Sequence, residues 1–156
     1  MVADGPDGLR PAFPGVPAIG PAAAVAEARR NATEEDPASR VIAALDRAGL
    51  MEGYEDGDGP APGLRLRAAP GHRAGHSILE IGASLVHAVD IVHHPLHLEH
   101  LEWDRTWDVE PEVAFATRRT ILTELAERDS TVLFSHFASP GGIERAGNGL
   151  RWVALP

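Results

Sequence analysis

Pro70-Gly71-His72-Arg73-Ala74-Gly75-His76 sets two histidines four residues apart among small neighbours. The segment follows a strand-like run, Leu64 to Ala69, and precedes another, Ser77 to Gly82. Proline and glycine make a tight bend that projects an imidazole from a strand end, a common place for a metal ligand. Asp90 ends a third strand-like run and His136 a fourth. Imidazole and carboxylate on adjacent strand ends suit Zn²⁺, Mn²⁺ or Fe²⁺. Taken singly, each residue has a plainer reading. A histidine at a strand end is more often a hydrogen-bonded surface residue, and Asp90 alone fits a turn cap. Only the ordered set of loop histidine, strand-end aspartate and strand-end histidine favours metal chemistry.

A second group of histidines follows. His93 and His97 stand at i, i+4, and His94, His97 and His100 at successive steps of three. A helix carrying them would present imidazoles on one side, yet Pro95 interrupts its first turn. An independent metal site, pocket lining and solvated histidines are the competing expectations, with His93 assigned to the pocket. Trp103 and Trp107 in the same stretch either line an apolar substrate pocket or cap the core. Arg118 and Arg119 read as a solvated helix face.

These residues need elements to hold them. Residues 1–21 contain Pro6, Pro11, Pro14, Pro17 and Pro21 and read as an extended, partly disordered arm. Ala22 to Arg30 suits a short helix. Asn31-Ala32-Thr33 matches a glycosylation sequon by chance. A firmer helix runs from Pro37 to Ala48, with Asp36 as N-cap, Pro37 at the first position and Gly49 as stop. Its apolar stripe is Val41, Ala44, Leu45 and Ala48. Asp56-Gly57-Asp58-Gly59 is an acidic turn, since the rest of a calcium loop is missing. Strands are expected at Leu64 to Ala69, Ser77 to Ile81 and Leu85 to Val89, and a long loop from Ile91 to Asp108. Pro111 opens the strongest helix, which ends near Arg128 and is striped with Ala114, Thr117, Ile121, Leu122 and Leu125. A buried strand at Thr131 to Phe134 and a hairpin around Gly147-Asn148-Gly149 close the chain, with Trp152 in the core. The expected domains are an arm, 1–36, and a folded unit, 37–156.

Composition narrows the function. At 156 residues with 44% hydrophobic content, the chain fits one domain with a loose end. A net charge of −9 argues against nucleic acid and anionic membranes as partners. There is no cysteine, so any metal must sit on histidine and carboxylate. All eight histidines lie between His72 and His136. No signal peptide and no apolar run of roughly 18 residues are visible, which makes a cytoplasmic protein the expectation.

The order His72, Asp90, His136 resembles the second half of the metallo-β-lactamase-fold hydrolases. Further likeness lies in Trp107-Asp108-Val109-Glu110-Pro111, Ala116-Thr117-Arg118-Arg119, Ser135-His136-Phe137, Pro140-Gly141-Gly142 and Gly149-Leu150-Arg151-Trp152. The combination is most similar to the branch of lactonases and organophosphate-ester hydrolases, methyl parathion hydrolase among them. The resemblance implies an α/β fold: the C-terminal half of an αββα sandwich, with a mixed, mostly antiparallel sheet and flanking helices. It implies His72 and His136 as metal ligands, Asp90 as the bridging and catalytic carboxylate, and His76 as a support of its loop. It implies zinc or a related divalent metal, and hydrolysis of an ester, lactone or phosphotriester by metal-activated water. The family's first metal motif, HxHxDH, is absent from this sequence. Three ligand positions arranged for two metals leave both metal occupancy and activity of this chain open. An enzyme is the favoured expectation. The alternative is a non-catalytic half-domain that acts as an interaction or dimerisation module. The inner sheet face needs a cover, so a homodimer or a complementary half-domain is the expected partner.

Overall fold

A computed structural model describes residues 2–5, 8–33, 36–57, 59–103 and 106–155. Two compact units divide the chain, Met1–Glu55 and Asp56–Pro156. The division falls after 55, where the sequence pattern had placed it after 36.

The first unit corrects the expectation of an irregular arm. Strands β1 (Val2–Gly5) and β2 (Gly8–Pro11) pair antiparallel. Strand β3 (Ala18–Pro21) precedes helices α1 (Ala22–Asn31) and α2 (Pro37–Arg47) and pairs in parallel with β4 (Met51–Tyr54). The prolines do not forbid this. Pro11 and Pro21 are the last residues of their strands, where a missing N–H costs least. Pro6 lies outside the described residues. Helix α2 begins as expected, with Asp36 Oδ2 accepting the Ser39 N–H at 2.7 Å and Pro37 at the first position.

The second unit holds a six-stranded sheet in the order β10-β9-β8-β7-β6-β5. Its strands are β5 (Leu64–Ala68), β6 (Ser77–Ile81), β7 (Leu85–His87), β8 (Thr131–Leu133), β9 (Gly141–Ala146) and β10 (Gly149–Ala154). All neighbours run antiparallel except β7 and β8, which are parallel. The crossover between those two contains α3 (Leu96–Glu99) and α4 (Pro111–Glu127). Helix α3 was not foreseen in the expected loop, and at four residues it is too short to show a period. Asp56 Oδ1 accepts the Ala68 N–H, which folds the acidic turn back onto β5; Asp58 lies outside the described residues.

One face of the sheet packs under α4. Ile78, Val86, Val132, Ile143 and Leu150 meet Ile121, Leu122 and Leu125 in one buried cluster. Phe134, Phe137 and Trp152 extend it, with ring centroids 4.5 to 5.4 Å apart. Gly141 is required there, since a Cβ would lie 2.4 Å from the Trp152 ring. The opposite face is apolar too. The registers Leu64–Ile81–Leu85 and Leu66–Leu79 place five large aliphatic residues on it, and Leu133 joins them beside His87. Sheets apolar on both faces are built for layered folds. Among the described residues, no helix is long and apolar enough to cross a membrane.

Candidate metal site at one edge of the sheet

Strand direction brings the candidate residues together. β5 is antiparallel to β6, β6 to β7, and β7 is parallel to β8. Strands β5, β7 and β8 therefore point the same way, and the loops leaving them open at one edge of the sheet. His72 lies on the first loop, Asp90 on the second and His136 on the third.

The first loop is fixed against the start of α4. Gly71 O accepts the Glu110 N–H at 2.9 Å, and His72 O accepts the Val109 N–H at 3.2 Å. Gly71 has φ +115°, and a Cβ there would sit 2.2 Å from the Ala114 nitrogen. Only glycine permits that approach. Arg73 Nη1 donates to Trp107 O at 2.8 Å. His76 Nδ1 donates to Ala69 O at 2.9 Å, which closes the loop across its base. Burial pushes the His76 imidazole below its ordinary value, and the Ala69 carbonyl offsets only part of this.

The second and third loops are joined to each other. Ala88 N–H donates to Leu133 O at 2.7 Å, and Ser135 N–H donates to Val89 O at 3.0 Å. Val89, directly before Asp90, has φ +49°. A β-branched residue in that region is strained, and its surroundings must hold it there. His136 Nε2 lies 3.5 Å from Asp90 Oδ1.

His93 links the two ends. Its ring centroid is 5.2 Å from that of His72 and 5.0 Å from that of His136. The result is a row, His76–His72–His93–His136, with Asp90 against its last member. The loops come from strands three spacings apart, yet His93 keeps the His72 and His136 rings within about 10 Å of each other. Imidazoles and a carboxylate fit a divalent cation in kind. They are short in number, because no three such groups converge on one point among the described residues. Asp90 and His136 form the close pair.

Other expectations need correction. Arg118 is not a solvated residue. It is 1% exposed, and its Nη2 lies 2.7 Å from both oxygens of Asp108, whose carboxylate is fully buried. His72 Nδ1 shares Asp108 Oδ1 at 3.1 Å. The signal was present in the spacing, since Arg118 stands four residues after Ala114 and three before Ile121, within the apolar stripe. Trp103 and Trp107 do not cap the core, being 56% and 61% exposed. Trp103 stacks on His100 with centroids 3.8 Å apart. The His94 and His97 ring centroids are 5.9 Å apart. A cleft of about 210 Å³ lies between α3, α4 and the β9–β10 hairpin, lined by Leu98, Phe115, Arg119, Arg145 and others, and none of the candidate site residues borders it.

No family model matches the sequence, and no curated protein does. Solved structures do match. The hydrolase AbOPH, described as belonging to the beta lactamase superfamily, superposes with a TM-score of 0.76 at 22% identity, covering 92% of this chain and 56% of that one. The dizinc quorum-quenching lactonase AidC gives 0.69 at 21% identity, covering 77% and 42%. A probable metal-dependent hydrolase from Staphylococcus aureus gives 0.57 at 21%, covering 70% and 42%. The chain carries part of the metallo-β-lactamase fold. It spans about half the length of the structures it matches.

Proposed function

We propose that this metallo-β-lactamase-like unit contributes one half of a metal-dependent hydrolytic site that cleaves an ester, lactone or phosphotriester. The remaining donors come from a complementary half. The observation that supports this is the row of His72, His93 and His136 with Asp90 at the edge where three co-directional strands end. The similar structures described as a dizinc lactonase and as a hydrolase support the hydrolytic part of this reading. Asp90 and His136 are assigned as ligands of one cation and His72 as a ligand on the other side of the row. Asp90 is assigned to both, as the family resemblance implies. A divalent cation supplies a Lewis acid and an acidified water when bound. His93 and the exposed Trp103 and Trp107 are assigned to the substrate side.

Elemental analysis of the purified chain, with lactone and aryl-ester hydrolysis assays and a His136→Ala control, tests this. Zinc uptake and hydrolysis that both fall in the variant are expected once the second half is present. A chain that takes up no metal and hydrolyses nothing with any partner half overturns the reading.

The apolar second face of the sheet favours another reading, a non-catalytic half-domain that pairs with a second copy. Leu66 is buried there, while Leu64, Leu79, Ile81, Leu85 and Leu133 are only half-buried. Sedimentation separates the two readings. A concentration-dependent dimer without metal supports pairing alone, and a stable monomer counts against it.

A further inference from the structure

We propose that Asp108 and Arg118 are a buried positioning pair that sets the tautomer of His72 and, through the Ile91 carbonyl, the seat of Asp90. The inference rests on the metal-site reading for its purpose but on geometry alone for its existence.

A guanidinium 1% exposed and a carboxylate fully buried are costly to desolvate, so an ion pair by itself is weak support for keeping them. Their remaining bonds indicate what the pair is for. Asp108 is an ion-paired carboxylate and can only accept hydrogen bonds. His72 Nδ1, 3.1 Å from Asp108 Oδ1, must therefore be the donor. The proton is held on Nδ1, and Nε2 keeps the lone pair that a cation needs. Behind the ring, the cavity lined by Pro70, His76, Thr117 and Arg118 has no room for a water molecule.

Arg118 also reaches the other ligand loop. Its Nε donates to Ile91 O at 2.6 Å, one residue after Asp90. That carbonyl lies two residues beyond the strained Val89. One buried side chain thus touches both the loop that carries Asp90 and, through Asp108, the ring of His72. An ion pair needed only for stability would require neither bond.

The test uses the full metal-free chain with ¹⁵N-labelled histidine, at a pH above the ordinary imidazole range. His72 is expected as a single Nδ1–H tautomer. A mixture, or Nε2–H, overturns the proposal without any variant. The double variant Asp108→Leu/Arg118→Met replaces the pair with apolar groups, a change that buried pairs often tolerate. It should release the His72 tautomer while leaving that of His136 unchanged, and weaken zinc binding by about 10- to 100-fold. An unchanged tautomer in the folded double variant also overturns the proposal. If that variant does not fold, the wild-type tautomer decides alone. The two readings fail separately. A fixed, releasable tautomer without zinc binding sinks the metal site and leaves the positioning pair. Zinc bound equally by both proteins does the reverse.

Discussion

His72 and His136 stand on opposite sides of His93 in the same row and are held in opposite ways. His72 is 8% exposed, with its loop bonded to the start of α4 and its ring bonded to a buried carboxylate. The His136 side chain is 51% exposed and rests on Asp90 at 3.5 Å. One end is preorganised by its own unit, and the other is left open at the rim. The contrast teaches that one sheet edge need not be equally rigid along its length. In the function proposed above, this unit fixes the ligand that its own helix reaches and leaves the far one for a partner to order.

The sharpest way to break the comparison is to remove the brace. Arg118→Met leaves the Asp108 carboxylate buried and unpaired, and unfolding in urea should show a loss of about 3–5 kcal/mol. His136→Ala should stay within about 0.5 kcal/mol in the same assay, because it removes an exposed side chain. Equal losses would erase the distinction between the two ends.

A smaller effect tests the seat of the His72 loop. Gly71→Ala combines φ +115° with a Cβ only 2.2 Å from the backbone of Ala114, and should cost about 1–3 kcal/mol. Gly82→Ala shares the positive φ, at +61°, but meets nothing within 4 Å. It should cost about 1 kcal/mol and leave the His72 ring signals unmoved, whereas Gly71→Ala shifts them.

The mildest test is pH. Burial lowers the folded His76 pKa, with His72 and Arg118 adding to the shift and Asp90 opposing it. The unfolded chain then takes up a proton near the ordinary imidazole value of about 6.5 while the fold still refuses it. Stability at this end should therefore fall as pH drops below that value and be fully present above it. His76→Gln, which still donates to the Ala69 carbonyl, should flatten that slope in denaturation curves recorded from pH 7.5 to about 5. An unchanged slope would remove His76 from the braced end.

Local pattern announced the strands of the second unit, the N-cap at Asp36 and the helix opening at Pro111, because alternation, caps and proline rules act over a few residues. The three candidate ligands were legible for the same reason, as histidine and aspartate at strand ends in a characteristic order. The N-terminal strands were hidden. β3 finds its parallel partner β4 across two helices, and no local rule reports such a pairing. Arg118 was misread because its charge outweighed its place in the apolar stripe. Its burial depends on Asp108, ten residues earlier, turning inward to meet it.

The sequence by itself determined which side chains could bind a cation and which strands would carry them. The tertiary structure decided that the strands before all three point one way, that the His93 ring stands 5.2 Å from His72 and 5.0 Å from His136 in one row, and that a buried arginine ties the first two loops together. Donor chemistry belongs to residue types and is written in the chain. Direction, spacing and bracing arise from strand pairing and helix packing between distant segments, and exist only once the chain has folded.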